Sequence, residues 1–394
     1  MNHARSNRPI VAASVVQFAV SFSVNFSIPF LTLFIYEELG IGSLSEATLW
    51  AGIAQLLASS SLALMSPFWG WLCDRIEGEK MLVRVLIALT AMTGLLSVST
   101  SVYQVLVLRL ISGMTSGTST VVMTIISSSV DEDRLPQAIG YQQSVQTVGL
   151  LLGPAVGGIM ATVVGFRSCF LISSIMISMA IPFVLWAHFE DRGRPSGPRE
   201  RIHWRAFKAI GRGFVGLFSV QAAYNFITPM LPLYLAEAGV EESSLVEYNG
   251  IILTTSSLAY AASVPITTKI FKRRLIPVLL ATASGVVFVQ GFLREVFAFT
   301  ALRMVQCFLH SAVPSFLLGE GAKKDSSKGL TLGILNSATY LGNAVGPFLS
   351  SSVAYTTNLT MAFTVSASFS LFAAFAAIPT KRHASGPDSK GSTS

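Results

Sequence analysis

Long apolar runs recur along this chain with almost no charged residues inside them, and this feature most constrains its fold. Each run approaches or exceeds the roughly 20 residues with which a helix crosses a hydrocarbon core. Only 12% of the residues are charged, about half of the roughly 25% found in soluble domains. The sequence therefore predicts an all-α integral membrane protein of twelve transmembrane helices. These spans 1 to 12 are Pro9–Tyr36, Leu49–Leu72, Val85–Val102, Val105–Val130, Ala138–Val164, Phe170–Ala187, Phe214–Ala236, Gly250–Ile270, Ile276–Phe292, Val296–Leu318, Leu330–Thr356 and Leu359–Pro379.

The placement of the basic residues predicts the orientation in the membrane. The net charge is +7, and the basic residues are concentrated at the N-terminus, in alternate loops and above all in the central segment between spans 6 and 7. Loops on the other side, such as those after spans 1 and 7, are acidic or neutral. Because cytoplasmic loops are enriched in Lys and Arg, we expect both termini and the central loop to be cytoplasmic. This is the pattern of a multi-pass protein of the inner, or plasma, membrane.

Four sequence patterns occur twice, the second copy about 200 residues after the first, which is typical of an internal repeat. The pairs keep the same order and the same spans, so they predict two six-helix bundles related by pseudo-symmetry. They are Asn25-Phe26-x-x-Pro29 with Asn225-Phe226-x-x-Pro229, Gly52 and Pro67 with Gly250 and Pro265, Leu108-Arg109 with Leu302-Arg303, and Gly149-x-x-x-Gly153-Pro154 with Gly342-x-x-x-Gly346-Pro347.

The repeat also predicts the domain limits. We expect an N-terminal bundle over residues 1–189 and a C-terminal bundle over 207–380. The Gly-, Pro- and Arg-rich segment 190–206 reads as a cytoplasmic linker, and the Ser- and Gly-rich segment 381–394 as a disordered cytoplasmic tail.

Three motifs resemble those of the major facilitator superfamily of transporters. Gly70-Trp71-Leu72-Cys73-Asp74-Arg75 after span 2 is similar to the family's loop signature, although Glu77 is an extra residue and Glu79 stands where arginine is usual. In span 4, Arg109, Gly113 and Gly117 resemble the family's arginine motif, with Ser112 in place of the common glutamine. The most specific match is Gly149-x-x-x-Gly153-Pro154-x-x-Gly157-Gly158, which resembles the motif of its exporters and proton antiporters.

The resemblance implies a secondary transporter that exports small organic molecules by alternating access, with protons, the lipid bilayer and a small-molecule substrate as its expected partners. It also implies that spans 1, 4, 7 and 10 line a central cavity. Each of these spans carries one polar stripe at helical spacing, and intramembrane polar groups tend to face a bundle interior or a cavity. We expect substrate contacts from Asn25, Arg109, Gln142, Gln146, Tyr224, Asn225, Arg303, Gln306 and His310.

A second set of residues is expected to control the conformational change. Asp74 and Arg75 resemble the family's charge-relay latch. Glycines four residues apart lie on one helix face, where a neighbouring backbone approaches closely, and proline bends a helix. We therefore expect a seam between the two halves at these glycines. The predicted conformational residues are Gly70, Asp74, Arg75, Gly149, Gly153, Pro154, Gly157, Gly346 and Pro347.

No Asp or Glu lies in the middle of any span, so the cavity is predicted to be neutral to basic. A cation would lose its hydration there without gaining a counter-charge. Broad multidrug efflux and dedicated export of an anionic metabolite, such as a carboxylate siderophore or organic acid, both stay open. An importer or facilitator and a non-transporting sensor or lipid-moving scaffold are weaker alternatives.

Other classes find no support in the residues. The sequence has no phosphate-binding glycine loop, zinc-protease helix or nucleophile elbow, so we expect no enzyme activity and no cofactor. The three cysteines lie in or beside separate spans without metal-type spacing, so no metal is predicted. Nucleic acid is not an expected partner, and we expect a monomer.

Overall fold

The computed structural model describes residues 8–73, 76–119, 121–122, 125, 135–187, 204–270, 273–324 and 328–378, and these residues are almost entirely helical. The predicted linker lies outside the described residues except for its last three, which begin the helix of span 7. The predicted tail lies outside them completely.

Spans 1 to 6 form the N-terminal half. Spans 5 and 6 belong to one helical segment with a kink at Gly165, whose backbone has φ 79° and ψ 164°. The helices are Arg8–Ser27 and Leu31–Glu37 for span 1, Leu44–Cys73 for span 2, Gly78–Ser97 for span 3, Val102–Thr115 for span 4, Leu135–Ser178 for span 5 and most of span 6, and Ala180–Ala187 for the end of span 6.

Spans 7 to 12 form the C-terminal half. Short 3-10 turns, Glu242–Ser244 and Arg273–Leu275, precede spans 8 and 9. The helices are Trp204–Asn225 and Leu231–Glu237 for span 7, Leu245–Ile270 for span 8, Ile276–Gln290 for span 9, Val296–Lys324 for span 10, Lys328–Thr356 for span 11 and Leu359–Ala377 for span 12.

Five helical segments in the described residues are long and apolar enough to cross a membrane. They correspond to spans 1, 2, 3 and 12 and to the 42-residue segment Val145–Trp186, which contains spans 5 and 6. Spans 4, 9 and 10 contain shorter apolar helices. Spans 7, 8 and 11 carry several polar side chains, which lower the mean hydropathy of a helix that faces its own bundle rather than lipid.

The two halves repeat the same packing. In the N-terminal half span 1 packs against span 5, span 2 against span 4, and span 3 against span 6. The matching pairs in the C-terminal half are spans 7 and 11, 8 and 10, and 9 and 12. Between the halves, span 2 contacts span 11 and span 5 contacts span 8. The structure therefore confirms the predicted fold class of two pseudo-symmetric six-helix bundles.

The halves meet at one end of the bundle, called the closed end below, where the loops 38–43 and 238–244 lie. The largest apolar cluster is shared by both halves at this end and includes Phe26, Phe34, Phe226 and Tyr234. The next two clusters belong to one half each, one around Met81 and the other among the helices of spans 7 and 9 to 12. Burial of apolar surface thus holds the halves together at the closed end.

Spans 1, 4 and 7 are interrupted, which the apolar runs did not predict. Span 1 passes through a 3-10 turn at Pro29, and span 7 has turns over residues 226–230 around Pro229. Proline has no backbone N–H and cannot continue the helical hydrogen bonding. Span 4 leaves the helix at Ser116 and Gly117, where the glycine has φ 138°.

Side chains satisfy the carbonyls that the break in span 4 exposes. The indole N–H of Trp69 donates to the Met114 carbonyl at 2.7 Å, and Arg84 donates to the Thr115 carbonyl at 2.9 Å. The Arg84 guanidinium also lies 3.5 Å from the centroid of the Trp69 ring. Irregular backbone at membrane depth requires such replacement partners.

Candidate functional site

A cavity of about 210 Å³ lies between the two halves, beside the interrupted parts of spans 1 and 7. Its wall mixes aliphatic side chains with a few polar groups, and both halves contribute to it. The residues are Val24, Asn25, Ile28, Pro29, Leu31, Thr32, Ala51, Gln55, Arg109, Leu150, Pro154, Tyr224, Asn225, Thr228, Pro229, Leu253, Ser256, Ser257, Arg303 and Pro347. Two arginines, one from each half, supply its charge.

Arg109 of span 4 enters the cavity from the N-terminal half. Its Nη2 donates to the Gln55 Oε1 of span 2 at 2.9 Å, and its side chain is 9% exposed. The amide of Gln55 is oriented by a second bond, from its Nε2 to the Ser59 Oγ at 2.9 Å. The Arg109 Nε has no hydrogen-bond partner among the described residues. None of the ion pairs formed by described residues involves Arg109.

Arg303 of span 10 occupies the matching position in the C-terminal half, but it has more partners. Its Nη1 donates to the Gln306 Oε1 at 2.9 Å and its Nη2 donates to the Tyr224 carbonyl at 2.8 Å. That carbonyl belongs to the last turn of the first helix of span 7, where helical acceptors lose their backbone partners. The Arg303 guanidinium also lies 5.1 Å from the Tyr224 ring centroid, within the range of a cation–π contact.

The repeated asparagines face the cavity with different partners. The Asn25 Nδ2 donates to the Ser21 carbonyl of its own helix at 2.7 Å. The Asn225 Nδ2 makes the matching bond to the Gln221 carbonyl of its own helix at 3.2 Å, and it also donates across to the Asn343 Oδ1 of span 11 at 2.8 Å. Beside it, the Tyr224 ring packs on the Tyr260 ring at 5.0 Å between centroids. The C-terminal wall is therefore more tightly hydrogen-bonded than the N-terminal wall.

Five of the nine predicted substrate contacts line this cavity, and Gln146, Gln306 and His310 are not among its lining residues. Gln306 is buried behind Arg303, and Gln146 is half-buried outside the cavity. His310 is fully buried, with its Nε2 3.2 Å from the Ser370 Oγ of span 12. The side chain of Gln142 lies outside the described residues.

The prediction that the glycines spaced four residues apart form the seam between the halves is wrong. Cβ atoms added to Gly149, Gly153 and Gly157 would lie 2.0–2.8 Å from atoms of span 1, in the same half. Gly342 and Gly346 face span 7 in the same way within the C-terminal half. These glycines let spans 1 and 5, and spans 7 and 11, approach closely.

Other glycines make the contact between the halves. A Cβ on Gly52 of span 2 would lie 1.7 Å from the Ser351 Oγ of span 11. A Cβ on Gly250 of span 8 would lie 3.0 Å from the Pro154 carbonyl oxygen and 3.3 Å from the Gly158 Cα of span 5. Sequence spacing identified the glycine-rich helices, but it could not show which of their faces meets the other half.

The remaining predicted conformational residues are placed only in part. Pro154 and Pro347 line the cavity from spans 5 and 11. Gly70 lies in the helix of span 2, and its surroundings are not described. Asp74 and Arg75 lie outside the described residues.

At the closed end, two buried side chains donate hydrogen bonds from one half to proline carbonyls of the other, at the repeated prolines. The Thr32 Oγ1 of span 1 donates to the Pro229 carbonyl of span 7 at 2.9 Å. The Asn249 Nδ2 of span 8 donates to the Pro29 carbonyl of span 1 at 3.4 Å. Thr32 and Asn249 are both buried. Sequence analysis missed them, as it missed Gln55 and Asn343, because single polar residues in apolar spans carry no periodic signal.

Comparisons with known proteins agree with this architecture. The family model described as Major Facilitator Superfamily matches residues 13–293 and 213–393. Multidrug resistance protein MdtG of Escherichia coli is 26% identical over 388 residues, which cover 93% of this chain and 92% of that relative.

Two solved structures share the fold at low sequence identity. One is a bacterial homologue of the human lysosomal transporter Spinster, in an inward-facing and unoccupied conformation, with a TM-score of 0.76, 13% identity and coverage of 96% of this chain and 97% of that chain. The other is the human organic anion transporter MFSD10 (TETRAN), with a TM-score of 0.70, 15% identity and coverage of 94% and 99%. The family model spans most of the sequence and a cavity lies between the two repeated bundles, so this chain belongs to the major facilitator superfamily of membrane transporters.

Proposed function

We propose that this chain is a secondary active transporter that exports small organic molecules across the inner membrane by alternating access, in exchange for protons. The observation that carries the proposal is the cavity between two pseudo-symmetric halves that touch at one end. Rocking of such halves about a central site is a standard transport design. Similarity to a protein named for multidrug resistance supports export rather than uptake.

The proposed orientation determines which step of an export cycle corresponds to this structure, in which the halves touch at the closed end. With both termini in the cytoplasm, the closed end faces outward, because span 1 then runs from the cytoplasm to loop 38–43. A substrate would enter from the cytoplasmic side and leave after the Thr32 and Asn249 bonds break. The domain limits 1–189 and 207–380, the linker 190–206 and the monomeric state remain part of this proposal.

The cavity favours anionic or neutral substrates over cations. Its described lining contains two arginines and no carboxylate. A cation placed there would meet like charge without a compensating partner, which is unfavourable in a low-dielectric site. Broad drug efflux, which the name of the similar Escherichia coli protein suggests, stays a second candidate and is separated by the substrate panel below.

The test uses inverted membrane vesicles that hold a proton gradient reported by a pH-sensitive dye. A panel of lipophilic cations and a panel of carboxylates are added in turn, with vesicles that lack the chain as the control for passive leak. Collapse of the gradient only in vesicles with the chain is the expected result. Vesicles that contain inserted protein and show no substrate-dependent proton movement, in sodium-free or sodium-containing buffer, would overturn the proposal.

A further inference from the structure

The two cavity arginines differ in how much of their hydrogen-bonding capacity the protein uses. A guanidinium has five N–H donors. Arg303 directs two of them to Gln306 and to the Tyr224 carbonyl, and its plane lies over the Tyr224 ring. These contacts tie span 10 to the interrupted part of span 7. Arg303 therefore acts mainly as a positioning residue for the wall of the cavity.

Arg109 has donors to spare. Among the described residues, Gln55 is its one hydrogen-bond partner and its buried Nε has none, and the side chain is more than nine-tenths buried. A buried cation with unused donors is unfavourable unless another group completes its shell. Because Arg109 lines the cavity, the group best placed to do so is a bound ligand.

The chemistry of the guanidinium indicates the ligand. Its planar fork matches the two oxygens of a carboxylate, and charge-assisted bonds of this kind are the strong ones. The wall that the N-terminal half contributes is also largely apolar, with Leu150, Ala51 and Ile28 among its residues. A molecule that satisfies both features has one carboxylate and an apolar body.

We propose that Arg109 is the anion-binding residue of the cavity, that Gln55 positions its guanidinium, and that the substrates are amphiphilic monocarboxylates. This inference rests on the proposed transport function and names its substrate class. A second carboxylate would gain less at Arg303, because there it would compete with Gln306 and the Tyr224 carbonyl for the guanidinium.

Gln55 provides the sharpest variant. Gln55→Glu places a carboxylate at the position of the amide that now bonds Arg109, so the variant carries its own anion in the site. Its side chain is nearly the same size as glutamine, which preserves the packing of spans 2 and 4. Gln55→Leu removes the positioning bond without adding charge.

The probes are salicylate and its neutral amide, salicylamide, which share one ring and differ in the charged group. Binding to the purified full chain in proteoliposomes gives a Kd for each probe, and the ratio of the two measures the preference for an anion. We expect the wild type to prefer salicylate, Arg109→Gln and Gln55→Glu to lose about tenfold or more in salicylate affinity, and salicylamide binding to change little. Gln55→Leu should lose about threefold.

Arg167→Lys is the matched control, because Arg167 is not among the residues that line the cavity. It should lower the melting temperature, because it weakens the contacts with Glu38 and with the Ser97 and Ser99 carbonyls, but it should keep the preference for salicylate. A merely structural role for Gln55 would change stability and leave the probe ratio unchanged, which would overturn its assignment. If Arg303→Lys lost the preference for salicylate while Arg109→Gln kept it, the assignment of Arg109 as the anion-binding residue would be overturned.

The failure of this inference is distinguishable from failure of the transport function. Proton-coupled movement of cations or neutral molecules, with equal affinity for salicylate and salicylamide, would refute the anion site and leave the transporter intact. If Arg109→Gln does not fold, Gln55→Glu gives the same test with a native melting temperature as the folding control.

Discussion

Replacement of Thr32 by valine should shift the transporter away from the state in which the closed end is sealed. The Thr32 hydroxyl donates to the Pro229 carbonyl at 2.9 Å, from one half to the other, and Thr32 is 1% exposed. Valine has nearly the same shape and no donor. The substitution therefore removes the bond between the halves while the apolar contacts around it remain.

The size of the shift follows from the environment of the bond. When the halves separate, both groups can bond to water, so only the net value of the hydrogen bond is lost. That value is about 1 kcal/mol in proteins and averages about 0.6 kcal/mol between helices in membranes. The ratio of closed to open molecules should therefore fall about three- to fivefold. Asn249→Leu should have a smaller effect, because its bond is longer at 3.4 Å and its Oδ1 is already unsatisfied.

The assay measures the distance between spin labels at Gly42→Cys and Ser243→Cys by double electron–electron resonance. Both positions are exposed, one on each half at the closed end. The native Cys169 and Cys307 are buried, and Cys73 is replaced by serine in all variants. Thr32→Val should transfer population from the short distance to a longer one.

Thr48→Val is the matched control for this prediction. Its hydroxyl bonds the Leu44 carbonyl of its own helix at 2.8 Å, so its loss should weaken both states equally. Identical distance distributions in Thr32→Val and Thr48→Val would refute the reasoning that the bond between the halves holds the closed end.

Two further substitutions test the packing within the N-terminal half. Gly157→Ala would place a Cβ 2.0 Å from a carbonyl oxygen of span 1, so overpacking should cost about 3 kcal/mol of folding stability. The yield of monodisperse protein in size-exclusion chromatography should fall. Gly285→Ala is the control, because its Cβ would have no neighbouring atom within 4 Å, and it should leave the yield unchanged. Arg167→Gln removes an ion pair with Glu38 and two bonds to carbonyls, and we expect a melting temperature about 2–4 °C lower. A larger loss in Lys80→Gln, whose ion pair is mostly exposed, would contradict this.

The fold could be predicted because its signals are long and repeated. Apolar runs of membrane length, basic loops and four duplicated patterns all agree on two six-helix bundles. The interruptions in spans 1, 4 and 7 could not be located in the same way, because the hydropathy of a segment does not show where its backbone leaves the helical conformation. Pro29, Pro229 and Gly117 were visible in the sequence, but each is also compatible with a continuous, bent transmembrane helix.

The functional site could be predicted only in part. Helical spacing shows which side of a helix a residue lies on, but not how far along the helix the cavity lies. His310 follows Arg303 by seven residues, which places it on nearly the same face but about 10 Å further along the helix. That distance puts it beyond the cavity, against Ser370 of span 12. Gln55 shows the opposite failure: it lies at the right depth, but on a span that the polar stripes did not mark.

The different roles of Arg109 and Arg303 trace to one position in the repeat. Three residues after Arg303 stands Gln306, which accepts its hydrogen bond, whereas three residues after Arg109 stands Ser112, too short to do so. Arg109 therefore turns to Gln55 on another span and keeps unused donors. Ser112→Gln should give Arg109 the intrahelical partner that Arg303 has. We expect salicylate affinity to fall about threefold with no loss of melting temperature, whereas unchanged salicylate affinity would show that the free donors of Arg109 do not determine anion binding.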